Sequence, residues 1–177
     1  MNRVLIVDDE NDICFLISEI LSDEGFTCQT VSNSYDALNK FNAFNPDLII
    51  LDVWLGNSEF DGIELLSKFK DLNPLIPIII ISGHGTVDMA VNAIKKGAYD
   101  FIEKPFNSEK ITVTSKRAIE SATLLKENNK LKSMINLKIP LVGSSNFINN
   151  LKKNISKIAI SNSIVFMSGP LGSGKKL

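Results

Sequence analysis

The chain of 177 residues has few of the residues from which disulfide frameworks are built, since it holds only two cysteines. Cys14 and Cys28 lie in apolar segments and form no C-x-x-C pair. Small buried thiols of this kind behave as core residues. We therefore expect both cysteines to be reduced, and a disulfide-stapled fold is excluded.

The sequence also lacks a long apolar run, and none approaches the roughly 18–20 residues that span a bilayer. The opening segment, "MNRVLIVDDE", has a short apolar run that ends in three acids, so we expect no signal peptide. With 44% hydrophobic and 22% charged residues, the composition is that of an ordinary globular protein. These features predict a cytoplasmic protein without a membrane partner.

The small net charge of −1 conceals two regions of opposite sign. Residues 1–125 hold 10 basic and 19 acidic residues, a net charge of −9. Residues 126–177 hold nine lysines and a single acid, Glu127, a net charge of +8. Such an asymmetry indicates that the two regions have different structural roles.

Short aliphatic runs alternate with amphipathic stretches along the first two thirds of the chain. We predict five helices. The first begins in the acidic stretch of residues 8–12 and is stopped by Gly25, the next three occupy residues 35–44, 61–72 and 86–98, and the fifth begins near Glu109 and is capped by Ser108. Apolar residues recur at helical spacing in two of them, with Ile13, Leu16, Ile17, Ile20 and Leu21 in the first and Val87, Ala90, Val91 and Ile94 in the fourth. The predicted strands are Arg3–Val7, residues 26–31, Leu48–Leu51, Ile76–Ser82 and residues 99–105. The sequence thus predicts an α/β fold with a parallel sheet covered on both faces.

Polar side chains follow four of these strands. In the flavodoxin-like strand order 2-1-3-4-5, ligands bind beyond the carboxyl ends of the strands, at the point between the first and third strands. The strands end in three carboxylates, a hydroxyl and an ammonium group, supplied by Asp8, Asp9, Asp52, Ser82 and Lys104. We expect these groups to meet at one edge of the sheet.

Three carboxylates at one edge repel each other unless a cation lies between them. Hard oxygen ligands with room for water suit Mg²⁺, and Lys104 adds a second positive charge. Together with the Ser82 hydroxyl, these groups are what a phosphoryl acceptor needs, with Asp52 as the nucleophile. Taken singly, Asp52 could form a turn, Asp8 and Asp9 could cap a helix, and Lys104 could be a solvated charge. Their convergence favours the chemical interpretation.

Four segments, "VLIVDDE", "DLIILDVWL", "IIIISGHGTVDMAV" and "KKGAYDFIEKPF", carry a family resemblance. Over residues 1–121 the chain resembles the receiver domain of two-component response regulators of the NtrC/NtrX type. The resemblance implies that Asp52 accepts phosphate from a sensor histidine kinase. It also implies that the domain catalyses only its own phosphotransfer and autodephosphorylation, so that it is not an enzyme with an external substrate.

The resemblance also implies further residue roles. Asp9 and Asp52 bind Mg²⁺ directly, Asp8 acts through water, and the Trp54 backbone carbonyl is a further ligand. Ser82 and Lys104 hold the phosphoryl oxygens. Tyr99 is the aromatic that changes rotamer when Ser82 moves, and the Lys104-Pro105 peptide is cis.

Residues 122–138 are predicted to form a helical linker. Leu124, Asn128, Leu131 and Ile135 are spaced as the core of a heptad repeat, and a core asparagine favours two-stranded, in-register pairing. We expect a homodimer through this linker and through the face formed by the fourth helix, fifth strand and fifth helix. The alternative is a solvated tether whose leucines pack on a neighbouring domain.

Residues 139–177 resemble the opening of the AAA+ domain of sigma-54-dependent activators. A strand is followed by a phosphate-binding loop with Gly169, Gly172, Gly174 and Lys175, although Lys176 stands where Ser or Thr is usual. Because the sequence ends at Leu177, we expect no ATP hydrolysis, and DNA and sigma-54 RNA polymerase as partners of a longer form only. Two alternatives are an ATP-binding module and a stand-alone receiver that competes for kinase phosphate.

Overall fold

The structure, a computed structural model, describes residues 2–56, 58–83, 85–135, 143–158, 166 and 168. The chain divides into two compact units, residues 1–128 and residues 129–177. Within the described segments, no helix combines the length and the apolar character needed to cross a membrane.

The first unit contains a parallel sheet of five strands in the order β2-β1-β3-β4-β5, as predicted. The strands are β1 (Arg3–Val7), β2 (Thr27–Val31), β3 (Leu48–Asp52), β4 (Ile78–Ser82) and β5 (Asp100–Glu103). Strands β2, β4 and β5 are shorter than predicted. β4 begins at Ile78 rather than Ile76, because Pro77 has no N–H for the ladder and contributes only its carbonyl, which accepts from Ile49.

Among the described residues, five helices accompany the sheet and a sixth lies in the second unit. They are α1 (Asn11–Asp23), α2 (Ser34–Phe44), α3 (Gly62–Leu72), α4 (Val87–Lys95), α5 (Ser108–Ile135) and α6 (Asn146–Ile158). Ser108 was predicted to cap α5, but it is the first residue of the helix. The cap is Asn107, whose Oδ1 accepts from the Lys110 N–H at 2.8 Å.

The core has two layers, one on each face of the sheet. Helices α2, α3 and α4 cover one face, where Phe41, Phe69 and Ala93 pack against side chains of the central strands. Helices α1 and α5 cover the other face through Ile17, Leu21, Ile111 and Ala118. Strands β3 and β4 are buried along their whole length, which explains their uninterrupted aliphatic sequences.

The predicted apolar face of α4 is not the face that packs. Val87, Val91 and Ile94 are exposed, whereas Ala93 is the buried residue of the helix. A small residue lets the helix backbone approach the sheet closely, and the larger side chains then lie on the outer surface. Leu16 of α1 is likewise exposed, because Cys14, Ile17 and Leu21 form the buried stripe of that helix.

Helix α5 runs without a break across the predicted domain boundary at residues 121 and 122. Leu124, Asn128 and Leu131 of the predicted heptad are exposed. The side chain of Ile135 lies outside the described part of the chain.

In the second unit, α6 is amphipathic and its residues are exposed or half-buried, with none fully buried. Its first turn is capped by Ser145, whose hydroxyl accepts from the Ile148 N–H at 3.3 Å. The predicted phosphate-binding loop, with Gly169, Gly172, Gly174 and Lys175, lies outside the described residues. It stays a prediction.

Candidate functional site

Three carboxylates meet at the carboxyl edge of the sheet. Asp52 is the last residue of β3, and Asp8 follows β1 directly. Because Val7 pairs with Leu51, Asp8 and Asp52 lie side by side on neighbouring strands. One carboxylate oxygen from each of Asp8, Asp9 and Asp52 lies within 4.8 Å of the other two. Asp8 and Asp52 are buried, while Asp9 is exposed.

Lys104 supplies the positive charge that the buried carboxylates need. It follows β5, and its Nζ reaches Asp8 Oδ2 at 2.9 Å and Asp52 Oδ1 at 3.1 Å. Its third acidic neighbour is Glu10, with Oε1 at 2.9 Å. Isolated buried carboxylates are costly, whereas paired ones are tolerated. The structure thus brings the acids and Lys104 together, as predicted. The Lys104-Pro105 peptide is cis, which was also predicted.

Backbone amides orient each of the three acids. The Trp54 N–H donates to Asp52 Oδ2 at 2.6 Å, and the Glu10 N–H donates to Asp8 Oδ1 at 2.9 Å. The Gly56 N–H donates to Asp9 Oδ2 at 3.0 Å. A Cβ at Gly56 would lie 2.7 Å from that same oxygen, so a larger residue here would require the exposed Asp9 side chain to shift.

Burial decides the protonation behaviour of the site. It raises the pKa of Asp52 from 3.8 to about 6, although Lys104 opposes the shift. The pKa of Asp8 is raised for the same reason. Burial would lower the pKa of Lys104, but hydrogen bonds to Glu10, Asp8 and Asp52 outweigh it, and the pKa is raised. Lys104 is therefore charged at neutral pH.

Gly62 holds the acceptor strand against the start of α3, a role that the sequence prediction missed. Its N–H donates to the Val53 carbonyl at 2.9 Å. A Cβ here would lie 2.8 Å from Val53 Cα and would also collide with the Asp52 carbonyl oxygen. The signal available in the sequence was the Asp61-Gly-x-Glu64 capping box, which places a glycine at the first helical position.

Ser82 is the last residue of β4 and is fully buried. Asp52 pairs with Ile81, so Ser82 lies one residue beyond the level of Asp52 on the neighbouring strand. The predicted position of this hydroxyl at the acidic edge agrees with the sheet register.

The structure does not place Tyr99 beside Ser82. Tyr99 precedes β5, and its N–H donates to the carbonyl of Ile78, four residues before Ser82 along β4. The aromatic that lies next to the turn after β4 is Phe101, whose ring carbon Cε1 would be 2.7 Å from a Cβ at Gly85. The prediction of Tyr99 was therefore wrong by two residues. Tyr99 and Phe101 lie on the same face of the strand, but Tyr99 lies nearer the end opposite to Ser82.

The donor set fits a hard divalent cation. Within the residues that the structure describes, the cluster that could hold a metal ion consists of the carboxylates of Asp8, Asp9 and Asp52, and Asp9 is open to solvent. Such a site suits Mg²⁺, which keeps several waters and uses few protein carboxylates. The remaining site residue, Trp54, has an exposed indole, and its carbonyl stays a predicted ligand. The chain's only histidine, His84, lies outside the described residues.

Comparison with protein families decides the class of this fold. Residues 4–116 match the response regulator receiver domain. The chain belongs to the response regulator receiver family. Apart from Arg3, the five-stranded sheet and its acidic edge lie within the matched segment.

Individual relatives point to one branch of the receiver family. A response regulator of Rickettsia bellii described as NtrX-like is 49% identical over 174 residues, which cover 98% of this chain and 36% of that protein. The crystal structure of NtrX from Brucella abortus is 41% identical with a TM-score of 0.80, covering 98% of this chain and 38% of that chain. The beryllofluoride-activated NtrC4 receiver domain dimer is 43% identical with a TM-score of 0.65, covering 69% of this chain and 99% of that one. The chain thus spans about a third of the length of its full-length NtrX-type relatives.

Proposed function

We propose that this receiver accepts a phosphoryl group from a sensor histidine kinase on Asp52. The observation that carries the proposal is the contact of one half-buried lysine, Lys104, with both buried carboxylates, Asp8 and Asp52. An Asp52 oxygen forms the new P–O bond, and the P–N bond to the kinase histidine breaks, with its electron pair leaving on the imidazole. Transfer adds negative charge at this buried position, and the contact with Lys104 supplies positive charge to offset it.

The residues around Asp52 have separate tasks in this reaction. The Trp54 N–H orients the acceptor carboxylate, and Lys104 neutralises charge on the transferring phosphoryl oxygens. Ser82 donates its hydroxyl to one of those oxygens after transfer. Asp8, Asp9, Asp52 and the Trp54 carbonyl would hold Mg²⁺, which supplies positive charge to the phosphoryl group when bound.

The proposed response to phosphorylation involves the surface around β5. Movement of Ser82 toward the phosphoryl group would shift the turn after β4, where Gly85 lies against the Phe101 ring. That shift would reposition the exposed apolar side chains of α4, Val87, Val91 and Ile94, for pairing with a second copy. We propose a homodimer through α4, β5 and α5, with the exposed leucines of α5 continuing the contact.

The output of the signal concerns a longer protein. We propose that residues 1–121 are the receiver, that residues 122–138 link it to the output, and that residues 139–177 open an AAA+ domain. In such a protein the phosphorylated receiver would control transcription through sigma-54 RNA polymerase and DNA. The receiver turns over only its own phosphate.

Mass measurement after incubation with acetyl phosphate and Mg²⁺ tests the proposed chemistry. We expect the chain to gain one phosphate, and we expect Asp52→Asn to gain none. Asp71→Asn, which removes an exposed carboxylate on α3, is the matched control and should gain phosphate like the unchanged chain. A phosphate on the Asp52→Asn chain would refute the assignment of Asp52.

A further inference from the structure

Glu10 occupies a position that glutamate does not favour. It is the N-cap of α1, where Ser, Thr, Asp and Asn are preferred because their short side chains accept from the first helical amides. The Glu10 side chain makes no such capping bond. Its carboxylate instead lies 2.9 Å from Lys104 Nζ, 94 residues away in the sequence. Local helix stability therefore does not explain Glu10.

The contact with Glu10 differs in kind from the other two contacts of Lys104. The side chains of Asp8 and Asp52 are 0% and 5% exposed, whereas that of Glu10 is 63% exposed. Asp8 and Asp52 thus need Lys104 to offset their burial, while a solvated Glu10 has no such need. Glu10 nevertheless accepts the third hydrogen bond that the Lys104 ammonium group can donate. A phosphoryl oxygen on Asp52 would need that same hydrogen.

We propose that Glu10 is a positioning residue that holds Lys104 away from an incoming phosphoryl group and so slows phosphorylation of Asp52. This inference rests on the proposed function of the site. Lys104 has three donor hydrogens, and all three are shared with carboxylates before transfer. The exposed contact is the one that breaks at the lowest cost, so exchange of Glu10 for a phosphoryl oxygen frees Lys104 without uncovering a buried charge.

Two substitutions separate the contact from the charge. Glu10→Gln removes the charge and the ion pair. Glu10→Asp keeps the charge, but its side chain is one methylene shorter and is drawn to the capping bond that aspartate favours. If Glu10 acts by holding Lys104, both variants should phosphorylate faster with acetyl phosphate, by roughly two- to fivefold, the size that an exposed ion pair allows.

The other outcomes overturn the proposal. If Glu10→Gln is faster but Glu10→Asp is unchanged, Glu10 acts only by repelling the anionic donor. If both variants are slower, Glu10 holds Lys104 in the reactive position. If neither rate changes, the contact has no role. The saturating rate and the half-saturating donor concentration should be measured separately, since the proposal places the change in the saturating rate.

Glu24→Gln is the matched control. Glu24 follows the other end of α1 and forms an exposed ion pair with Lys116 at 2.6 Å, so its substitution removes the same charge from the same helix. We expect its phosphorylation rate to equal that of the unchanged chain. A rise like that of Glu10→Gln would assign the effect to net charge and would overturn the proposal.

Beryllofluoride binding provides a readout besides the rate. If this phosphoryl mimic takes the place of the phosphoryl group, Lys104 would donate to one of its fluorides, so both Glu10 variants should bind it more tightly by calorimetry, again roughly two- to fivefold. The ratio to the unchanged chain should fall toward one in high salt, which screens exposed pairs. If the unchanged chain gains no phosphate on Asp52, the proposed function fails and this inference with it. If it gains phosphate but the variants match it in rate and affinity, this inference alone fails.

Discussion

Two half-buried lysines at opposite edges of the sheet have opposite environments. Lys104, at the carboxyl edge, contacts three carboxylates, and its pKa is raised. Lys70, on α3, donates to the Ile76 carbonyl at 2.6 Å, and no carboxylate pairs with it in the part of the chain that the structure describes. Burial lowers its pKa. The same side chain is thus part of a charge cluster at one edge and a packing element at the other.

The opposite edge of the sheet, at the amino ends of the strands, has a half-buried lysine but no cluster of carboxylates among the described residues. Lys70 lines a cavity of about 270 Å³ together with Pro74, Tyr99 and Leu125. Its methylene groups lie near Gly97, in the turn before β5. The two edges are opposite ends of the same buried strands. The difference in their chemistry therefore comes from the residues next to each end of the strands. Carboxylates at the ends of β1 and β3 make a site of one edge only.

The largest expected effect is that of Gly62→Ala. The new Cβ would collide with the backbone of Asp52 and Val53, which cannot move without displacing the acceptor. We expect the free energy of unfolding to fall by about 3 kcal/mol. We also expect Asp52 to lose its ability to gain phosphate. Denaturant unfolding and mass measurement check the two outcomes.

Gly97→Ala is the control at the far edge. Gly97 has φ of +97°, and a Cβ there would meet only Lys70 side-chain carbons at 3.4 Å or more. The substitution should lower stability by roughly 1–2 kcal/mol through backbone strain, and phosphorylation should persist. Equal effects of the two alanines would remove the distinction between the edges.

The next effect is that of exchanging each lysine for methionine. Lys104→Met leaves two buried carboxylates without a cation, and we expect a loss of about 2–3 kcal/mol at pH 7 that shrinks as the pH falls and the carboxyls protonate. Lys70→Met removes one hydrogen bond and should lower stability by about 1 kcal/mol. Thermal unfolding between pH 5 and pH 8 distinguishes the two, since the Lys70 effect should not depend on pH in that range.

The substitution of Asp52 itself has an effect of the opposite sign. The pKa of Asp52 is raised in the folded chain, so the folded state binds more protons than the unfolded state between pH 4 and pH 6. Stability therefore falls as the pH rises through that window, and the penalty persists at pH 7. Asp52→Asn should remove it and stabilise the metal-free protein by roughly 1–2 kcal/mol.

Unfolding in chelator as a function of pH measures this effect. The difference between Asp52→Asn and the unchanged chain should be near zero at pH 4 and should reach its maximum above pH 6. A variant that is less stable than the unchanged chain at pH 7 would show that Lys104 stabilises the charged Asp52 more than burial destabilises it.

Much of the fold could be predicted because the sequence pattern is local. The aliphatic strands β3 and β4 and the end of α2 at Phe44 follow from residues close in sequence. The edge that collects Asp8, Asp52 and Lys104 follows from the rule that parallel strands end together. These parts of the prediction needed no knowledge of packing distances.

The remaining features depend on contacts between distant residues. Periodicity identified an apolar stripe on α4, but the distance between helix and sheet decides which side packs, and Ala93 allows the closest approach. The pairing of β4 with β5 decides that Phe101, rather than Tyr99, lies near the turn after Ser82. Glu10 joined the site only because Lys104 reaches it, which no spacing in the sequence shows.

Trp54 gives the acceptor a spectroscopic neighbour that needs no label. It is the chain's only tryptophan, its indole is 59% exposed, and its amide is bonded to the Asp52 carboxylate. Intrinsic fluorescence excited at the indole band thus comes from a single place, two residues from the acceptor. A charge added to or removed from Asp52 is felt by that fluorophore in unmodified protein, so the reaction can be followed optically in real time.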